Sequence, residues 1–147
     1  MAQKYVLPEL DYDYSALEPF IAQRFRYHLL TVNYRTPEPI TELANGLLAS
    51  IDPDATPAIA IRDGAPVRRL ADAGFTPGVT TEDDGRLTAV IDATNAEAVK
   101  GLEFDHVIVL NPREIVDVSP QGLQNLYVCI TRATQTLTLV GDTSGVL

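Results

Sequence analysis

The sequence predicts an α/β domain built on a mostly parallel sheet. Three observations carry that expectation. Short apolar runs of strand character, such as His106-Val107-Ile108-Val109-Leu110, alternate along the chain with segments of helical periodicity. These runs are almost wholly apolar, as strands covered by other elements are. The glycine turn Lys100-Gly101-Leu102-Glu103-Phe104-Asp105 leads straight into one of them, and an α/β domain presents polar groups at a sheet edge in this way.

At 147 residues the chain is one domain of ordinary size, long enough for a sizeable core. Its 46% hydrophobic and 21% charged residues exclude a disordered class. No apolar run is long enough to cross a bilayer, and Met1-Ala2-Gln3-Lys4 lacks the apolar core of a signal peptide. The single cysteine, Cys129, rules out an internal disulfide and suits a reducing, cytoplasmic setting. The net charge of −9 makes this domain alone a poor nucleic-acid binder, because a surface that grips phosphate backbones is normally basic.

In order along the chain, residues 1–27 form a leader or connector. It is rich in tyrosine and acid, with Leu17, Phe20, Ile21 and Phe25 on one face of a short helix over 18–26. Its tyrosines could stack on bases or pack against the body of the domain. A strand follows at 28–32 and delivers Asn33-Tyr34-Arg35 to a turn. Thr36 is then a helix cap and Pro37 the first helical residue, with Ile40, Leu43, Ala44, Leu47 and Leu48 on the buried face up to about Ser50. Asp63-Gly64, between Ala58–Ile61 and Val67, has the sequence of a hairpin turn. Residues 72–86 are expected to be loop, 86–91 a strand, and 92–99 a polar connector. After Asn111-Pro112 a loop is expected. Ser119 as N-cap and Pro120 at the first position then open a helix burying Leu123, Leu126, Tyr127, Ile130 and Ala133, with Arg132 on its last turn. Thr136 to Gly141 is the closing strand.

Arg35, the Lys100–Asp105 turn and Arg132 each lie beside a strand or helix end, where a parallel sheet exposes its ligand-binding edge. An arginine there suits a polyphosphate, because its planar, permanently charged fork matches phosphate oxygens. Glu103 could accept from a ribose hydroxyl, and Tyr34 could stack on a base. The plainer readings are that both arginines neutralise surface carboxylates, that Glu103 is a solvated turn residue and that Asp105 bonds backbone. Tyr127 reads as core and Cys129 as a small buried filler. His28 and His106 are too isolated to form a metal site.

Asn33-Tyr34-Arg35-Thr36, Lys100-Gly101-Leu102-Glu103-Phe104-Asp105 and Tyr127-Val128-Cys129-Ile130-Thr131-Arg132-Ala133-Thr134 resemble motifs IV, V and VI of UvrD/Rep-like superfamily-one helicases. They occur in that order and cover most of the chain from about residue 28 to 141, within a domain taken as 28–147. The resemblance implies the second RecA-like domain of such a motor, a P-loop-NTPase-type three-layer fold without a Walker A loop of its own. It also implies that Tyr34 meets the adenine, Arg35 the γ-phosphate and Glu103 the ribose, that Gly101 permits the turn, and that Arg132 is the arginine finger. Arg132 and Arg35 would thus be the catalytic residues of an ATP site shared with an N-terminal RecA-like domain. That domain would hold most of the ATP and Mg²⁺, and the full enzyme would work on single-stranded DNA. This chain alone is expected to be inactive. Two features depart from the processive members. Only 64 residues separate Arg35 from Lys100, and Asn95 and Glu97 stand where the family has a DNA-gripping threonine and histidine. The pattern is closer to helicase-IV-like and HelD-like proteins, which brings in RNA polymerase as an alternative partner and a non-catalytic interaction module as a third reading.

Overall fold

The computed structural model describes residues 31–147. The expectations for residues 1–27, and for all but the end of the 28–32 strand, lie outside them. Strand β1 is Val32–Asn33, followed by helix α1 at Glu38–Ile51. The short strands β2 at Ile59–Ala60, β3 at Arg68–Leu70 and β4 at Gly78–Thr81 come next, then β5 at Leu87–Ile91 and β6 at Phe104–Leu110. Helices α2 at Pro112–Asp117 and α3 at Gly122–Ile130 lead to β7 at Ala133–Val140.

Five strands form one sheet in the order β3-β7-β6-β5-β4, with β1 and β2 in a separate parallel pair. β3, β7, β6 and β5 run parallel, and only the edge strand β4 is antiparallel. The α/β expectation with a mostly parallel sheet therefore holds. Register aligns Ala89, Val107 and Leu137 in one row and Ile91, Val109 and Leu139 in the next. All six are buried, on the face where Ile40, Ala44 and Leu47 of α1, Ile115 of α2 and Leu126, Cys129 and Ile130 of α3 complete the core. Each fully buried Leu or Ile contributes about 1.5–3 kcal/mol, so these rows set the register and hold the strand ends in place. Among the described residues no helix is long and apolar enough to cross a membrane.

Several local expectations change. Thr36 does not cap α1: its buried hydroxyl has no partner, and Pro37 stands at the cap. Ser119 likewise leaves its hydroxyl unpartnered, and α3 begins at Gly122 instead. Asn111-Pro112 starts helix α2 rather than a loop. Asn111 adopts a left-handed conformation with φ of 43° and Pro112 takes the first turn. Asp63-Gly64 is no hairpin, since β2 pairs with β1 and β3 with β7. The hairpin lies at Asp83-Asp84-Gly85 instead, where Glu82 and Arg86 share a 2.8 Å backbone bond and Gly85 has φ of 83°. The stretch 72–86 therefore contains strand β4. Pro66 accounts for part of the difference: without an N–H it cannot extend a ladder away from Gly64.

Candidate functional site

Three turns meet at the end of the sheet where β6 and β7 begin. In the first, the Asn33 side-chain oxygen accepts the backbone N–H groups of Arg35 and Thr36, both at 3.0 Å. This Asx-type turn fixes the backbone from which Tyr34 and Arg35 project. The Asn33 amide donates to Thr41 Oγ1 at 3.5 Å, and that hydroxyl donates to the Thr36 carbonyl at 3.2 Å. Tyr34 itself is 70% exposed.

The second turn depends on Gly101, whose φ of 81° is a left-handed conformation that favours glycine. Beyond it, the Phe104 N–H donates to the Arg132 carbonyl at 3.0 Å, which binds this turn to the third. Asp105 accepts the Leu87 N–H at 2.9 Å and so bonds backbone, holding the start of β5 beside β6.

The third turn is the junction of α3 and β7. Thr131 caps the helix with its N–H on the Tyr127 carbonyl at 3.0 Å, and the Arg132 N–H reaches the Cys129 carbonyl at 3.2 Å. Arg132 therefore lies just past the helix, not on its last turn, because the i→i−3 bond tightens the end. Its Nε donates to the Val128 carbonyl at 3.2 Å and its Nη1 to the Leu102 carbonyl at 3.3 Å, so it is strapped to both neighbouring turns.

Arg35 joins the three. Its Nη1 forms an ion pair with Glu103, and its Nη2 donates to the Thr131 carbonyl at 3.1 Å. Glu103 is thus paired while its side chain stays solvent-exposed in the turn. The two side chains are 39% and 52% exposed, and an ion pair of such exposure is worth about 1 kcal/mol or less. A ligand making two charge-assisted bonds to Arg35 exceeds that readily. Burial, and then the Arg35 charge, lower the Arg132 pKa from its ordinary value, while Glu103 opposes the shift. Two guanidiniums therefore feel one another across a site with one carboxylate between them. By chemistry this donor set suits a phosphate group.

This edge is the amino-terminal edge of the parallel strands. The carboxyl edge, where open α/β sheets usually bind ligands, carries Asp92, Asn95 and Asn111. The reason is the order of the motifs: the glycine turn precedes β6 and the arginine turn precedes β7. At the carboxyl edge Asn95 is engaged in the fold, accepting from the Asp92 N–H at 2.9 Å and donating to the Val90 carbonyl at 3.0 Å. Glu97 is exposed.

The other chemically suggestive residues are structural. Cys129 is fully buried, and burial pushes its thiol up to about 12. Tyr127 packs half-buried against the core. His106 Nδ1 lies 2.7 Å from Thr136 Oγ1 across β6 and β7. Among the described residues no cluster of His, Cys, Asp or Glu could hold a metal ion. One residue of this edge, Arg62, has no motif around it to mark it in the sequence. Its guanidinium donates to the Arg35 carbonyl at 2.5 Å and to the Thr134 carbonyl at 3.2 Å.

Residues 91–140, about a third of the chain, match the family described as UvrD-like helicase C-terminal domain. That segment holds the second and third turns but neither Arg35 nor Arg62. Among solved structures, the C-terminal domain of a possible DNA helicase from Lactobacillus plantarum WCFS1 is 20% identical, with a TM-score of 0.47. The alignment covers 76% of this chain and 89% of that one. The Arterivirus nonstructural protein 10, a helicase in complex with DNA, is 19% identical with a TM-score of 0.51. That alignment covers 79% of this chain and 26% of the viral protein, so the chain spans about a quarter of that helicase. No curated protein matches. The chain thus shares its fold with part of the viral helicase, and residues 91–140 are similar to a UvrD-like helicase C-terminal domain. None of these matches concerns a HelD-like protein or RNA polymerase.

Proposed function

We propose that this chain is the C-terminal motor domain of an ATP-dependent, UvrD-like DNA helicase or translocase. It completes an ATP site whose Walker A loop and Mg²⁺-binding acids belong to an N-terminal RecA-like domain. The observation that supports this reading is the meeting of Arg35, Glu103 and Arg132, from three distant stretches of sequence, at one edge of the sheet. When ATP is bound, its polyphosphate supplies the bond that is cleaved. Arg35 exchanges Glu103 for the γ-phosphate, and the released Glu103 carboxylate accepts from the ribose. Tyr34, already exposed, offers its ring to the adenine. Arg132, held by carbonyls of two turns, is the arginine finger: a pre-organised donor aimed at charge that develops as the phosphoryl group transfers.

The test is ATP turnover by the full-length protein with and without single-stranded DNA. Arg132→Ala is expected to lower kcat about 10³-fold or more while ATP binding stays nearly intact. Unchanged turnover would refute the assignment. A rate indifferent to DNA would move the output from DNA tracking to a protein partner, a reading that the engaged Asn95 and exposed Glu97 favour.

A further inference from the structure

Arg62 follows strand β2, in the part of the chain that the family match leaves out. It is half-buried, and among the described residues it takes part in no ion pair. Its guanidinium is directed at the backbone instead. Nη1 donates to the carbonyls of Arg35 and Thr134, and Nη2 reaches Gln135 Oε1 at 3.3 Å. Its own carbonyl accepts the Glu38 N–H at 2.8 Å, which fixes the residue against the first turn of α1. One side chain therefore joins the turn carrying Arg35 to the start of β7, two residues beyond Arg132.

The ties between Arg35 and the α3–β7 junction fall into two kinds. Those made by its side chain, to Glu103 and to the Thr131 carbonyl, hold the guanidinium itself. They are broken when that guanidinium turns to a phosphate. The tie made by Arg62 holds the Arg35 carbonyl and is independent of where the side chain points. Without it, the exchange of Glu103 for a phosphate would release the Arg35 turn from β7 at the moment its placement counts. An error of about 1 Å in a charge-stabilising group can cost about 10²-fold in rate.

We infer that Arg62 is a positioning residue, which keeps the Arg35 backbone docked on the α3–β7 junction while the Arg35 guanidinium leaves Glu103 for the ligand. The inference rests on the ATP-site reading above. Its role is carried through Arg35, so it acts on the transition state more than on nucleotide affinity.

The experiment compares four variants of the full-length protein in steady-state ATP turnover. Arg62→Ala is expected to lower kcat about 10-fold or more with the KM for ATP changed less than about 3-fold. Arg62→Lys, which keeps one charged donor within reach of the Arg35 carbonyl, is expected to recover most of that loss. Arg113→Ala removes a more exposed guanidinium at the opposite edge, bonded to Asp117 and the Ser144 carbonyl, and is expected to leave turnover within about 2-fold. Arg132→Ala reports on the reading beneath. If it is inactive while Arg62→Ala matches Arg113→Ala, the positioning role is overturned and the ATP site stands. If Arg132→Ala turns over normally, both fall. Equal losses in Arg62→Ala and Arg62→Lys, with KM rising in step, would make Arg62 a general structural prop and overturn the inference. Should Arg62→Ala fail to fold, Arg62→Gln, which retains two N–H donors without the charge, carries the same criteria.

Discussion

Replacing Gly101 and Gly46 by alanine separates backbone conformation from space at two otherwise matched positions. An added Cβ meets nothing within 4 Å at either site. Gly46 lies exposed in the middle of α1, where alanine is the better helix former by about 0.5–1 kcal/mol. Gly101 has φ of 81°, and holding an L-residue in that region costs about 1–2 kcal/mol. The less flexible unfolded chain returns about 0.4–1 kcal/mol in both variants, and for Gly46 that return is already within the helix figure. The net expectation is a loss of about 1 kcal/mol for Gly101→Ala and a gain of about 0.5–1 kcal/mol for Gly46→Ala. In a chain of this length 1 kcal/mol moves Tm by about 3 °C, so the two variants should melt about 5 °C apart, on opposite sides of the parent. The assay is thermal and urea denaturation of the purified 147-residue chain. A Gly101→Ala variant stabilised like Gly46→Ala would refute the left-handed turn, and with it the geometry that sets Glu103 opposite Arg35.

Leu126→Ala removes a side chain with 0% exposure at the centre of the core and should cost about 2–5 kcal/mol. A shift of the denaturation midpoint worth under about 1 kcal/mol would contradict the packing of α3 on β6 and β7. Cys129, with its thiol pushed up to about 12, should stay unmodified by a thiol reagent at pH 8, while the urea-unfolded chain reacts at once. The folded state keeps a proton that the unfolded chain releases near pH ~8.5. The associated stability is therefore full below that pH and is lost as the pH rises towards about 12.

The long elements were legible because burial on a regular period leaves a signature. The apolar spacing of α1 and α3 and the runs of β5, β6 and β7 all correspond to elements of the structure. Short elements were not. β4 has four residues and a single large apolar side chain, Val79, so its strand state comes from pairing with β5 and not from its own composition. The two Asp-Gly pairs show the same limit, since which of them turns a hairpin is decided by where the flanking strands find partners. In the site, Arg35, Gly101, Glu103 and Arg132 could be named from motifs, and the structure brings them to one place. Arg62 could not, because its role consists of hydrogen bonds to carbonyls, and a carbonyl acceptor has no residue type to recognise.

The same hydrogen bonds divide the labour between the arginines. Arg132 spends its donors on the carbonyls of Val128 and Leu102 and on Thr131 Oγ1, all within the two turns that flank it. Its position is fixed by the fold before any ligand arrives, so the proposed role would need little reorganisation of this side chain. Pre-organisation of that kind is effective against charge that develops only in a transition state. Arg35 is held by a half-exposed ion pair that a ligand can replace, so its guanidinium is able to turn from Glu103 to a ligand. A side chain free to exchange partners needs a backbone that is not, and at this edge the backbone of Arg35 is gripped from one side by Asn33 and from the other by Arg62. In a protein with a net charge of −9, only one of the three guanidiniums at this edge, that of Arg35, pairs with a carboxylate among the described residues. Arg62 and Arg132 pair with no acid among the described residues; Arg62 grips the Arg35 carbonyl itself and Arg132 the backbone beside it.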